Sequence, residues 1–173
     1  MKLRGLYAVT PEGGDVERKL RLALEGGIAL LQYRSKSINR SRAQAVVGLA
    51  REFGVPVIVN DDVELALELG ADGAHLGRDD GALSIARRRL SGKVLGASCY
   101  NDLALAQTLF KRALERDPSS YRAAMGVASV FVLQRDFDSA SRAFDATRSR
   151  THDKDEQKFL TAAIGDLATI KVR

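Results

Sequence analysis

The stretch that decides the fold is Gly54-Val55-Pro56-Val57-Ile58-Val59-Asn60-Asp61-Asp62, followed after a short helical run by Gly70-Ala71-Asp72-Gly73-Ala74-His75-Leu76-Gly77-Arg78-Asp79-Asp80. Each half is a short apolar run between a glycine and a polar cluster, which is the pattern of consecutive parallel strands in β–α units. The polar clusters then lie at the carboxyl ends of strands, the edge where ligands bind in parallel α/β folds. Asp61 and Asp80 are therefore the first candidates for a cation site.

The first 103 residues alternate between strand-like and helical runs. The periodicity predicts strands at 5–9, 28–33, 56–60, 73–76 and 94–98, and helices at about 16–25, 41–53, 63–69 and 83–90. Gly54 and Gly70 fall where two of the helices should end, and glycine accepts the left-handed conformation that closes a helix. The predicted fold class is α/β, with about five parallel strands in the order of the chain.

From residue 104 the sequence favours helices alone. Three positions recur 34 residues later, which is the tetratricopeptide period: Ala106, Phe110 and Ala113 return as Ala140, Phe144 and Thr147. Residues 128–140 resemble the helix–turn–helix core of that repeat, although Arg135 stands where a turn glycine is usual. We count about one and a half repeats and a terminal helix at about 155–170.

Composition excludes several classes of protein. The chain has 173 residues, 45% hydrophobic and 28% charged, and lacks an apolar run near the roughly 20 residues that span a bilayer. Cys99 is the only cysteine, so an internal disulfide is impossible. The net charge of +5 includes the triplet Arg87-Arg88-Arg89, which is typical of a solvated helix face. We expect no nucleic-acid or membrane partner and, without a signal-peptide pattern at the start, a cytoplasmic location.

Polar residues of suitable chemistry follow the predicted strands. Gln32 and Arg34 are two residues apart and so share a face, and Lys36 lies just beyond the strand end. Carboxylate oxygens suit Mg²⁺, while arginine and lysine neutralise a diphosphate. An amide or a hydroxyl at the same edge can bind an amine or a ring nitrogen. The candidate site comprises Asp61 and Asp80 for Mg²⁺, and Gln32, Arg34, Lys36, Asn60 and Ser98 for a small-molecule diphosphate substrate.

Five motifs in order resemble bacterial thiamine phosphate synthase, over about residues 3–106. They are Leu6-Tyr7-Ala8-Val9-Thr10, Gln32-Tyr33-Arg34-Ser35-Lys36, Val57-Ile58-Val59-Asn60-Asp61-Asp62, residues 71–80, and Leu95-Gly96-Ala97-Ser98-Cys99-Tyr100. That family is a (β/α)₈ barrel that joins hydroxymethylpyrimidine diphosphate to thiazole phosphate and releases diphosphate. The resemblance implies that Asp61 and Asp80 hold Mg²⁺, that Gln32, Arg34 and Lys36 contact the diphosphate, and that Asn60 and Ser98 contact the pyrimidine.

The sequence departs from the family after the fifth strand. A full member continues through three more strands that hold the thiazole phosphate, whereas this chain continues with the tetratricopeptide-like helices. We therefore expect a half barrel over 1–103 and a helical segment over 104–173, continuous with the fifth barrel helix. The resemblance then implies a transferase that is impaired or inactive alone. Two alternatives stay open: a tetratricopeptide-type scaffold that binds a peptide or self-associates, and a chimera without catalytic activity.

Some polar residues have simpler interpretations. Asp62, Asp79 and Asp102 each precede a predicted helix, where an aspartate caps the first free N–H groups, so we predict N-caps at these three positions. His75 is interpreted as a packing residue at a strand end rather than as a base or a metal ligand.

Overall fold

The computed structural model describes residues 5–37 and 39–171, except for the side chains of 169–171. Residues 3 and 4, where the family resemblance begins, and residues 172 and 173, at the end of the predicted helical segment, lie outside the described residues. The chain divides into two compact units, Met1–Ser98 and Cys99–Arg173. The boundary that the sequence suggests, at 103, stays a prediction. None of the helices in the described part is long and apolar enough to cross a membrane.

The first unit is a parallel sheet with a helix after each of its first four strands. Its elements are β1 (Tyr7–Val9), α1 (Val16–Glu25), β2 (Leu30–Tyr33), α2 (Arg40–Glu52), β3 (Val57–Asn60), α3 (Val63–Glu68), β4 (Gly73–Leu76), α4 (Leu83–Arg89) and β5 (Val94–Ala97). The strands pair in the order of the chain, and every pair is parallel. The predicted fold class, five parallel strands alternating with helices and followed by helices, is confirmed.

The two faces of this sheet carry different side chains because successive strand residues point to opposite sides. Leu31, Val57 and Val59 are almost completely buried in a core that includes residues of α1, α2 and α3. Burial of each such side chain contributes about 1.5–3 kcal/mol. Gln32, next to Leu31 in β2, and Asn60, next to Val59 in β3, therefore lie on the opposite face, away from these helices.

The strands β4 and β5 approach each other closely at Gly73. This residue pairs with Val94, and a Cβ at position 73 would overlap the Val94 carbonyl group. Since the obstacle is backbone, a side chain at this position could be accommodated only if the two strands moved apart. Glycine at the start of β4 thus allows the pairing that places the far ends of both strands at one edge.

The second unit consists of four helices, α5 (Leu103–Arg116), α6 (Tyr121–Leu133), α7 (Phe137–Arg148) and α8 (Lys154–Lys171), and the last agrees with the predicted terminal helix. Each helix packs against the next one along the chain. Ala140, Phe144 and Thr147, the second copy of the 34-residue recurrence, are buried, and the first two belong to the core of this unit. The tetratricopeptide assignment itself stays a prediction.

Two of the three predicted N-caps are confirmed. Asp62 caps α3 and Asp102 caps α5, and each carboxylate accepts a hydrogen bond from the backbone N–H three residues later. The prediction for Asp79 is wrong, because the N-cap of α4 is Ala82, which makes no side-chain bond. The loop after β4 continues past Asp79 before the helix begins, so the aspartate lies too early to cap it.

The helices α2 and α6 end in the same hydrogen-bonded motif but with different residues. The residue after the cap is left-handed in both, Gly54 with φ 66° and Arg135 with φ 61°. In both helices the N–H of this residue bonds to the carbonyl three residues earlier, and the next N–H bonds to the carbonyl five residues before it. Arg135 therefore adopts the conformation that glycine accepts without a steric cost.

We expect Arg135→Gly to stabilise the protein by about 1 kcal/mol, because it removes a left-handed penalty of about 1–2 kcal/mol and adds some chain entropy to the unfolded state. The reciprocal change Gly54→Ala should destabilise it by about 1 kcal/mol. Urea denaturation followed by far-UV circular dichroism measures both effects. A destabilised Arg135→Gly variant would contradict the assignment of strain to this turn.

Candidate functional site

The candidate site lies at the carboxyl edge of the sheet in the first unit. Backbone hydrogen bonds continue the pairing beyond the strands: Thr10 N–H to the Gln32 carbonyl (2.9 Å), Asp61 N–H to the His75 carbonyl (2.7 Å) and Ser98 N–H to the Leu76 carbonyl (3.0 Å). These bonds hold the residues just past each strand end in fixed positions. The edge therefore behaves as an extension of the sheet rather than as a set of independent loops.

Asp61 occupies an unusual backbone conformation. Its φ is 63°, and the N–H of Asp62 bonds across it to the Asn60 carbonyl at 2.9 Å, which closes a three-residue turn. A left-handed residue other than glycine costs on the order of 1–3 kcal/mol, and strain of this kind recurs at active sites and ligand clamps as well as in helix-terminating turns. The turn separates two neighbouring carboxylates, since Asp62 caps α3 while Asp61 reaches Asp80.

The carboxyl groups of Asp61 and Asp80 lie close enough to share a hydrogen bond when one of them is protonated, although they belong to the ends of different strands. Partial desolvation, this bond and the negative charge of Asp80 raise the pKa of Asp61, while Arg34 and the Asn60 side chain act in the opposite direction. Asp80 is in turn fixed by the Gly77 N–H, which donates to its Oδ2 at 2.6 Å. Two neighbouring carboxylates repel each other, and a proton or a cation between them relieves that repulsion.

This pair of carboxylates fits Mg²⁺. The ion prefers oxygen ligands and is commonly bound through one or two carboxylates together with substrate phosphates. No group of three or more His, Cys, Asp or Glu side chains with metal-binding geometry occurs among the described residues. Asp61 and Asp80 therefore suit an ion that takes its remaining ligands from water and from a phosphorylated ligand.

An amide pair lies next to these carboxylates. Gln32 donates from Nε2 to Asn60 Oδ1 at 3.1 Å, and Gln32 is 6% exposed. This bond orients both amides. Because Asn60 Oδ1 accepts from Gln32, the amide nitrogen of Asn60 is the atom available to donate to Asp61, with which the Asn60 side chain hydrogen-bonds. The structure therefore brings Gln32, Asn60, Asp61 and Asp80 into one connected group.

The backbone of the loop after β2, which carries Arg34 and Lys36, is anchored to the loop after β1. Thr10 Oγ1 donates to the Arg34 carbonyl and accepts from the Arg34 N–H, both at 2.9 Å, and Glu12 accepts from the Lys36 N–H at 3.1 Å. Arg34 lies close enough to Asp61 to oppose the rise in its pKa. The Lys36 ammonium forms no hydrogen bond or ion pair within the described part of the chain.

Ser98 has a partner that the sequence did not suggest. His75 Nε2 lies 2.9 Å from Ser98 Oγ, so His75 makes a polar contact where the sequence favoured packing. Thr10 and Glu12 were also not identified from sequence. The register offers one signal for His75, because it pairs with Asn60 across β3 and β4 and so points to the same face as the candidate residues.

Comparison with known proteins gives a consistent picture over the first two thirds of the chain. The family model described as thiamine monophosphate synthase matches residues 6–117. The thiamine-phosphate synthase of Nitrosospira multiformis is 47% identical over 113 residues, covering 61% of this chain and 48% of the relative. That of Chromobacterium violaceum is 52% identical over 114 residues, covering 61% and 55%. The chain thus spans about half the length of these relatives.

A solved structure supports the same assignment. Thiamine phosphate pyrophosphorylase from Pyrococcus furiosus superposes with a TM-score of 0.55 at 31% identity, covering 62% of this chain and 55% of that one. The resemblance inferred from the five motifs is therefore confirmed for the N-terminal part. Because the family match includes α5 and ends at 117, the likeness of the later helices to tetratricopeptide repeats stays a prediction.

We expect Asp80→Asn to lower the pKa of Asp61 in the metal-free protein, because the substitution removes the like charge that raises it. Asp79→Asn, one residue away and exposed, is the matched control and should leave the pKa of Asp61 unchanged. Carboxyl-carbon NMR titration measures both. A pKa of Asp61 that is the same in Asp80→Asn as in the parent would contradict the contact between the two acids.

The raised pKa also gives a pH dependence. The folded state binds this proton more tightly than the unfolded chain, so the stability that Asp61 contributes is present below its ordinary pKa of 3.8 and is lost as the pH rises through the raised value.

Proposed function

The chain belongs to the thiamine monophosphate synthase family, and on that premise we propose that its first unit binds Mg²⁺ together with the diphosphate of a pyrimidine substrate. The observation that carries the proposal is the contact between the carboxylates of Asp61 and Asp80, with the positive charge of Arg34 nearby. Two acids and a cation at a strand edge match the chemistry of a metal–diphosphate complex. The substrate is hydroxymethylpyrimidine diphosphate and the reaction class is transfer of its pyrimidine to thiazole phosphate.

The proposed roles follow from the chemistry of each side chain. Asp61 and Asp80 hold the metal, while Arg34 and Lys36 contact the diphosphate oxygens, the first as a planar fork and the second as a point charge. Gln32 binds on the diphosphate side and orients Asn60, and Asn60 and Ser98 hydrogen-bond to the pyrimidine. Mg²⁺, when bound, supplies positive charge that stabilises the leaving diphosphate.

These residues favour ionisation of the pyrimidine substrate. As the bond between the methylene carbon and the diphosphate oxygen breaks, negative charge accumulates on the diphosphate, and its attraction to the positive charges of Arg34 and Lys36 becomes stronger than in the ground state. Asn60 and Ser98 hold the pyrimidine cation in place until the thiazole nitrogen attacks it. The hydrogen bonds that hold the Asn60 and Ser98 side chains reduce the reorganisation that the step requires.

We propose that the chain alone turns over slowly or not at all. The described residues after β5 form helices, and none of the residues proposed here is assigned to the thiazole phosphate. An assay that supplies both precursors tests this part. Thiamine phosphate formed at the rate of a complete family member would refute it.

A second proposed role is binding of a peptide, or self-association, through the helices of the second unit. The packing of each helix against the next one supports it, since repeat proteins stack in this way. Leu133 and Phe159 are exposed apolar side chains on these helices. This role predicts an oligomer or complex that survives Asp61→Ala, because the substitution lies in the other unit.

We expect isothermal titration to detect diphosphate binding that requires Mg²⁺ and that weakens at least about tenfold, or about 1.4 kcal/mol, in the double variant Asp61→Asn/Asp80→Asn. The control is Asp79→Asn, which also removes one negative charge from this loop but leaves Asp61 and Asp80 unchanged. Circular dichroism of each protein establishes that it is folded. Equal affinity in the parent and the double variant would contradict the metal role, and a folded parent that binds no diphosphate would favour the second role.

We also expect Thr10→Val to weaken diphosphate binding although Thr10 contacts no ligand in this proposal. The substitution removes both hydrogen bonds to the Arg34 backbone and leaves the Arg34 N–H without this acceptor. A buried N–H without an acceptor costs about 1–3 kcal/mol of folding free energy, so the loop that carries Arg34 is less firmly held. Thr10→Ser keeps the hydroxyl and should bind like the parent. Loss of affinity in Thr10→Ser as large as in Thr10→Val would contradict the assignment of the effect to these two hydrogen bonds.

A further inference from the structure

The imidazole of His75 occupies a space that the neighbouring strand provides. A Cβ at Gly96 would lie 2.6 Å from His75 Nδ1, so the ring lies directly against the backbone of β5. Its other nitrogen, Nε2, is 2.9 Å from Ser98 Oγ. Both ends of the ring are thus fixed, one by close packing and the other by a hydrogen bond.

His75 also connects the candidate residues across the sheet. It pairs with Asn60 on one side and with Gly96 on the other, and Asn60 is bonded to Gln32. From β2 to the end of β5, one face therefore presents a row of polar side chains, namely Gln32, Asn60, His75 and Ser98.

We propose that His75 is a positioning residue that sets the orientation of the Ser98 hydroxyl toward the pyrimidine. The inference rests on the proposed function, in which Ser98 contacts the pyrimidine, and adds a residue that the proposed function leaves without a role in binding. His75 acts through Ser98 and contacts neither the diphosphate nor the metal.

The chemistry of the pair explains why orientation matters. A serine hydroxyl has one donor and two acceptor sites, and an otherwise free hydroxyl rotates among them. His75 Nε2 either donates to or accepts from Ser98 Oγ, depending on the tautomer of the ring. Whichever role Nε2 takes, Ser98 must take the other, and its remaining sites face the ligand in a defined direction. An aminopyrimidine offers both donors and acceptors, so it distinguishes the two directions.

The test compares two ligands in the presence of Mg²⁺, inorganic diphosphate and hydroxymethylpyrimidine diphosphate. His75→Leu replaces the imidazole with an apolar side chain of similar bulk and so removes the hydrogen bond to Ser98. Ser98→Ala removes the other partner of that bond. Each variant should lower the affinity for hydroxymethylpyrimidine diphosphate about five- to tenfold and leave the affinity for inorganic diphosphate unchanged. The double variant should lose no more affinity than Ser98→Ala alone, because His75 acts only through Ser98.

A conservative variant and a spectroscopic measurement separate positioning from packing. The amide of His75→Gln can reach Ser98, so this variant should recover most of the affinity for the pyrimidine ligand. The chain has two histidines, and His152→Gln leaves His75 as the only imidazole for ¹⁵N NMR. In that background Ser98→Ala should shift the His75 ring nitrogens without any ligand present.

The outcomes distinguish the inference from the proposed function. If the folded parent binds neither ligand, both are overturned. If the parent binds both ligands but His75→Leu binds hydroxymethylpyrimidine diphosphate as the parent does, or loses affinity for both ligands equally, the inference alone is overturned. Selective loss with His75→Leu and recovery with His75→Gln support it.

Discussion

The parallel pairing of adjacent strands is the constraint on which the candidate site depends. The residues that follow β1, β3 and β5 continue that pairing through single backbone bonds, so their backbone positions are set before any ligand arrives. Pre-organisation of this kind reduces the entropy that binding must overcome. The pairing itself depends on Gly73, where β4 and β5 are too close for a Cβ.

The alternation of side chains along the strands separates the apolar core from the candidate site. Leu31 and Val57 stabilise the helix-facing core, whereas Gln32 and Asn60, one to three residues away along their strands, form the polar row. The same division occurs within a single dipeptide, since Asp61 approaches Asp80 while Asp62 caps α3. The left-handed turn at Asp61 makes this possible, because it directs two successive carboxylates to different tasks.

The sequence was sufficient for the features that depend on local patterns. Apolar periodicity located the strands within two residues, and aspartate before a helical run identified the N-caps at Asp62 and Asp102. It failed at Asp79, because a loop length is not encoded in the capping pattern. The roles of Thr10, Glu12 and His75 depend on contacts between residues more than 20 positions apart, and such contacts follow from strand register rather than from composition. The function of the later helices has no comparable motif, and their recurrence at 34 residues indicates an architecture without naming a ligand.

All of the candidate residues, from Thr10 to Ser98, lie in the first unit, and each hydrogen bond described among them joins residues of that unit. A recombination event that conserves these strands and their loops therefore transfers all of the candidate residues and the hydrogen bonds among them in one step. The chain beyond the fifth strand can then diverge under separate selection, since mutations there change none of these contacts directly.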